Sequence, residues 1–193
     1  MIDTAAHIFL KFGHVDVILA IIICGILFHR RDYYGTAACF VCFVMIFNKL
    51  LKDFFKVPLF PHLGNGYAFP SGHMHAAAAF YGYICYKTSD YKIKIAIIIL
   101  LGCIGFSLVH CHFHDWFDVG GALLFAALEI SLLHFLKNRF GLKFIAIIAV
   151  FLSCINVSVL YFFYEAPSHV WYAFCLLIGF TAFMKICDRS KAA

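Results

Sequence analysis

The chain has 193 residues, of which 64% are hydrophobic, 19% aromatic and only 13% charged, with a mean hydropathy of +0.93. Such a balance excludes an ordinary soluble domain, and helix-sized apolar runs parted by short polar breaks favour a helical bundle over a membrane β-barrel. The formal net charge of +5 gives no support for nucleic-acid binding, because the basic residues are distributed as a membrane topology would distribute them.

Seven candidate spans follow in chain order: 9–29, 34–56, 72–87, 93–111, 115–136, 143–164 and 168–187. The expected fold class is therefore all-α, a polytopic transmembrane bundle of about six to seven spans. One integral membrane domain fills residues 1–193, without linker, repeat or low-complexity tail. In the first span only Val17 to Phe28 is free of charged residues and histidine, and that stretch is short for a bilayer unless its flanks snorkel. The start lacks a basic n-region and a small-residue cleavage site, so no signal peptide is expected. Cys24, Cys39, Cys42, Cys85, Cys103, Cys154 and Cys175 fall inside spans, where they read as packing residues.

Positive charge sets the expected orientation. Arg30 and Arg31, Lys87, Lys92 and Lys94, Lys137, Arg139 and Lys143, and Lys185, Arg189 and Lys191 put eleven of the fifteen basic residues on one face. That face is expected to be cytoplasmic, with the N-terminus outside and the C-terminus inside. The opposite face holds Lys11, the cluster Lys49, Lys52 and Lys56, and six histidines: His62, His73, His75, His110, His112 and His114. Ionisable groups gathered at one membrane interface mark a functional site by default.

Three elements there carry chemistry. Lys49, Lys52 and Lys56 fall within roughly 60° of one another on a helix and form a basic stripe that attracts an anion, although lysines at a span end also snorkel. The run Pro70-Ser71-Gly72-His73 suits a helix start: Ser71 caps it, Gly72 lets a ligand approach the backbone, and free N–H groups face any phosphate. His73 can then give a proton to a leaving oxygen. His114 and Asp118 lie four residues apart, on one helical face. A carboxylate holding one imidazole nitrogen fixes the tautomer and leaves the other nitrogen nucleophilic. Taken singly, each element also reads as ordinary helix-terminus structure.

Their order and spacing resemble the type 2 phosphatidic acid phosphatase superfamily of membrane phosphatases. Its second motif, Pro-Ser-Gly-His, is intact at residues 70–73. Its third, Ser-Arg, five residues, His, three residues, Asp, reads Ser107-Leu108 through His114 to Asp118, with leucine for arginine. Its first, Lys, six residues, Arg-Pro, is degraded: starting from Lys49 it puts Lys56 at the arginine position, and starting from Lys52, the register preferred here, it puts Leu59 there. The resemblance covers about residues 48–122.

What the resemblance implies is a lipid phosphatase acting through a phosphohistidine. His114 would be the nucleophile, Asp118 its orienting partner and His73 the acid, with Lys52, Ser71 and the Gly72 amide on the phosphoryl oxygens. Lys49, Lys56, His110 and His112 are candidates to restore the charge of the missing arginines. No metal or other cofactor is implied. The expected partners are the bilayer and a lipid phosphate or diphosphate: phosphatidate, phosphatidylglycerophosphate, a polyprenyl diphosphate or a lipid A type headgroup. The expected location is a plasma membrane, the inner membrane of a bacterium, with the site on the non-cytoplasmic face. The family's common pattern puts three spans before the first motif, whereas two precede it here.

Three other readings stay open. The same intermediate could pass its phosphoryl group to a lipid or sugar hydroxyl, as in sphingomyelin-synthase-like relatives that lack the full arginine set. His73, His75, His110, His112 and His114 could form a membrane histidine box around a metal. Glu129, about 16 Å below Asp118 along its helix, could belong to a transport pathway, although a structural hydrogen bond is the favoured reading there. The sequence carries no signal of oligomeric state.

Overall fold

The computed structural model describes residues 2–190; for 142, 143 and 187–190 the backbone alone is described. Lys143, Arg189 and Lys191 of the orientation argument therefore lie outside the described residues or side chains. Among these residues there are eight α-helices, α1 (Ile2–Phe12), α2 (Val15–Phe28), α3 (Arg31–Phe55), α4 (Gly72–Lys87), α5 (Tyr91–His110), α6 (Trp116–Phe140), α7 (Leu142–Phe163) and α8 (Ser168–Ser190), and one 3-10 turn, Pro61–Leu63. Among the described residues the only β pairing is one isolated bridge, Pro58 to Tyr67, in the α3–α4 connection. All eight described cysteines are free thiols.

The expected first span, 9–29, is broken. Gly13 and His14 separate α1 from α2, and the two helices bend by 53°. The physical reason lies in the backbone: Gly13 N–H bonds Leu10 O at 2.9 Å and His14 N–H bonds Lys11 O at 3.1 Å, three-residue turns that close α1 before α2 begins. The unwound corner is covered from both sides, since Tyr81 Oη donates to Phe12 O at 3.1 Å and a Cβ on Gly13 would touch Ile104. Irregular backbone at membrane depth is tolerated where protein buries it or where it lines a cavity.

Five helices, α3 and α5 to α8, are long and apolar enough to cross a membrane, and the bent α1–α2 pair is a further candidate. Their outer faces carry large exposed apolar side chains, among them Ile98 and Ile99 on α5, Leu124 and Leu128 on α6, and Ile147 and Phe151 on α7. That outward apolar surface is the mark of a membrane protein.

The main core forms around α4, which packs against α3, α5 and α6. Helix α4 is only 16 residues long, shorter than a typical membrane-spanning helix, yet Met74 through Tyr81 are all buried. Its run Ala76 to Ala79 lets neighbouring backbones come close, as small residues do between membrane helices. On α6, Gly121 has the ring of Phe69 seated directly on it: a Cβ there would lie 2.1 Å from that ring. Phe69 also stacks on Phe117 at 4.6 Å and meets Phe55 edge-on at 4.9 Å. This aromatic wedge fixes the approach of the chain to Pro70 and Ser71. Gly121→Ala should therefore force the ring out and lower stability by about 1–3 kcal/mol. The check is the thermal unfolding midpoint in detergent, where an unchanged midpoint would contradict the wedge.

Candidate functional site at one end of the bundle

Three helices begin around one point. Helix α4 starts at Gly72 because Ser71 is extended and its Oγ accepts from Met74 N–H at 3.5 Å. The first two amides of α4, on Gly72 and His73, have no intrahelical acceptor. Helix α6 starts at Trp116 under a capping box in which Asp115 Oδ1 accepts from Asp118 N–H at 2.8 Å and Asp118 Oδ2 from Asp115 N–H at 3.5 Å. The two starts are tied together, since Ser71 N–H donates to Asp118 O at 3.2 Å. Helix α2 starts beside them, because its N-cap residue His14 lies with its ring 5.2 Å from that of His73. N-termini carry positive partial charge and free donors, so such a meeting point favours an anion.

Within it, His114 Nδ1 lies 2.9 Å from Asp118 Oδ2, and both residues are buried. The carboxylate can only accept, so Nδ1 carries a proton, and in the neutral ring Nε2 then keeps its lone pair. No described residue bonds Nε2. Asp118 Oδ1 is buried without a hydrogen-bond partner among the described residues. His73 is exposed, and its electrostatic neighbours are His14, His114, Lys52 and Asp16. Lys52 reaches this point from the last turn of α3. Its Nζ donates to Tyr67 O at 2.8 Å, and Asp118 is among its charged neighbours.

The remaining candidates are placed differently. Lys49 Nζ is held in an ion pair by Asp53, four residues on. Lys56 caps α3 in the left-handed conformation, φ 53°, and sits 5.9 Å over the Tyr164 ring. Ser71 is wholly buried, so its side chain acts as a helix cap. Gly72 stands beside Asn48, whose Oδ1 would be 3.3 Å from a Cβ at that position. His110 bonds Asp3 Oδ1 at 2.9 Å, away from His114. His112 is exposed with φ 56°, and its carbonyl accepts from His62 Nε2 at 3.0 Å, which ties the α3–α4 loop to the α5–α6 loop. Ser107 gives its hydroxyl proton to Cys103 O at 2.7 Å, within α5. Leu108, at the arginine position of the third motif, is buried in the apolar core.

Two neighbours were missed by sequence reasoning. His14 was absorbed into a continuous first span, although glycine followed by histidine inside an apolar run is a break signal. His169, near the start of α8, has Lys49 and Lys52 as its electrostatic neighbours, and nothing in its local sequence points there. Among the described residues, no group of three His, Cys, Asp or Glu side chains is arranged to hold a metal ion; His75 instead faces Asn48 and Glu129 inside the bundle.

No protein-family model matches the chain, and neither a curated protein nor a solved structure matches it.

Proposed function

We propose that this chain is a membrane-embedded lipid phosphatase, a divergent member of the type 2 phosphatidic acid phosphatase superfamily, cleaving a phosphate or diphosphate headgroup through a phosphohistidine on His114. The observation that carries this reading is the buried His114–Asp118 pair, 2.9 Å apart, set where helix starts and Lys52 gather positive potential.

In the first step the Nε2 lone pair of His114 attacks phosphorus, the bond from phosphorus to the lipid oxygen breaks, and His73 gives that oxygen a proton. In the second, water attacks phosphorus and yields a proton to His73. The N–P bond then breaks, returning the electron pair to His114 and releasing inorganic phosphate. Asp118 holds the Nδ1 proton throughout and stabilises the positive charge on the ring. The Gly72 and His73 amides and Lys52 supply donors for the phosphoryl oxygens, in place of the two arginines that this chain lacks.

With the bent α1–α2 pair and the short α4 each taken as one crossing beside the five long apolar helices, the proposed topology follows the charge distribution, which supports a site on the non-cytoplasmic face. A lipid headgroup reaches that depth without leaving the bilayer, which supports a lipid over a soluble phosphate ester. His14 extends the donor set on the His73 side. His14→Ala should lower kcat/KM by about 10- to 100-fold, the loss of one hydrogen bond to a charged group, with folding unchanged. Loss of all activity, or none, would remove His14 from this role.

The reading is tested by inorganic phosphate release from a panel of lipid phosphates and diphosphates in detergent with EDTA, using His114→Ala as control. Release that depends on His114 and survives EDTA supports a metal-independent phosphatase. Release that EDTA abolishes would favour the metal reading. No release of inorganic phosphate, with a new phosphorylated lipid formed only when a lipid alcohol is added, would make the enzyme a phosphotransferase.

A further inference from the structure

Three polar side chains that take no part in the steps above lie inside the bundle: Asn48 on α3 at 6% exposure, His75 on α4 at 0% and Glu129 on α6 at 9%. Burying three such groups is costly unless they bond one another. They do so in one chain, and its direction can be derived. Asn48 Nδ2 lies 3.3 Å from Pro70 O, an atom that can only accept, so Nδ2 is the amide nitrogen and donates. The same nitrogen is 3.0 Å from His75 Nδ1, which must therefore accept. The remaining ring proton is on Nε2, which donates to Glu129 Oε2 at 3.0 Å.

The chain ends on the segment that forms the candidate site. Pro70 O is held from below by Asn48, while the next amide, Ser71 N–H, is held from the side by Asp118 O at 3.2 Å. Asn48 Oδ1 also lies against Gly72. The turn that aims the Gly72 and His73 amides is thus clamped between α3 and α6, and the angle of Asn48 is set by His75 and Glu129 behind it.

We infer that Asn48, His75 and Glu129 are positioning residues, a buried relay that holds the Pro70–Gly72 turn and so fixes His73 and the α4 amides against His114. This rests on the proposed phosphatase reading. A displacement of about 1 Å in such a group can cost on the order of 100-fold in turnover.

The tautomer is tested first, without turnover: histidine-selective nitrogen NMR in nanodiscs, with His75 assigned by its loss in His75→Phe. A neutral ring protonated on Nε2 is expected; an Nδ1-protonated ring would overturn the relay even if the enzyme proved inactive on every lipid. Kinetics then separate positioning from packing, provided wild type is active and His114→Ala is not. Asn48→Leu, His75→Phe and Glu129→Leu should each lower kcat by 10-fold or more, with a smaller change in KM. Glu129→Gln, which keeps an acceptor for the Nε2 proton, should restore kcat to within about threefold of wild type. Equal losses in Glu129→Gln and Glu129→Leu, or leucine variants that lose only thermal stability while kcat per folded molecule holds, would reduce the three residues to core structure.

Discussion

His114→Ala should abolish turnover, a fall of at least about 1,000-fold, while the protein remains folded in detergent. His114 is buried but lies in the loop just before α6, outside the apolar core cluster, so truncation removes the nucleophile without opening the bundle's main packing. Its one bond from Nδ1 goes to Asp118, whose other contacts, to Asp115 and to Ser71 N–H, survive the change. Circular dichroism and gel filtration report folding, and phosphate release reports activity. Residual turnover above a few per cent of wild type would reject the nucleophile assignment.

His73→Ala should be the second largest effect and should depend on the leaving group. General acid catalysis contributes typically about 100- to 10,000-fold when the leaving oxygen needs a proton. A lipid alcohol needs one, whereas a nitrophenolate does not. The variant should therefore lose about 100-fold or more on a lipid phosphate and far less on p-nitrophenyl phosphate. His73 is exposed, so the substitution costs little packing. Equal losses on both substrates would show that His73 acts by binding phosphate and not by giving a proton.

Much of this architecture was legible before any coordinates. The third expected span, 72–87, coincides with α4 because Pro70 and Ser71 punctuate the chain there in a way that local physics enforces. The same holds for α6, where Asp115 and Asp118 form the capping box that also delivers the reactive carboxylate. The four-residue spacing of His114 and Asp118 was readable as one face, and the 2.9 Å bond agrees with that geometry.

What was not legible depended on tertiary structure or on a weak local signal. The break at Gly13 and His14 hides in an apolar run, and without it the second histidine beside His73 goes unseen. Lys49 and Lys52 share a helical face, but Lys56 leaves the expected stripe because α3 ends at Phe55 and Lys56 turns into its left-handed cap, and the three meet different partners: Asp53, the Tyr67 carbonyl and the Tyr164 ring. Helical phase says which residues share a face and nothing about what that face meets. His75 and Glu129 are 54 residues apart, and only the packing of α4 on α6 joins them. Glu129 was expected to make a structural hydrogen bond, and the bond to His75 supplies one.

The most direct test of the central claim is the covalent intermediate itself. Wild-type protein is mixed with a phosphorus-32-labelled lipid phosphate, quenched within milliseconds in alkali, where phosphohistidine survives, and digested for mass spectrometry. A phosphoryl group is expected on the peptide containing His114, absent in His114→Ala and longer-lived when His73, which must then activate the water, is replaced. Phosphate release without any label on that peptide, or with label on another residue, would contradict it.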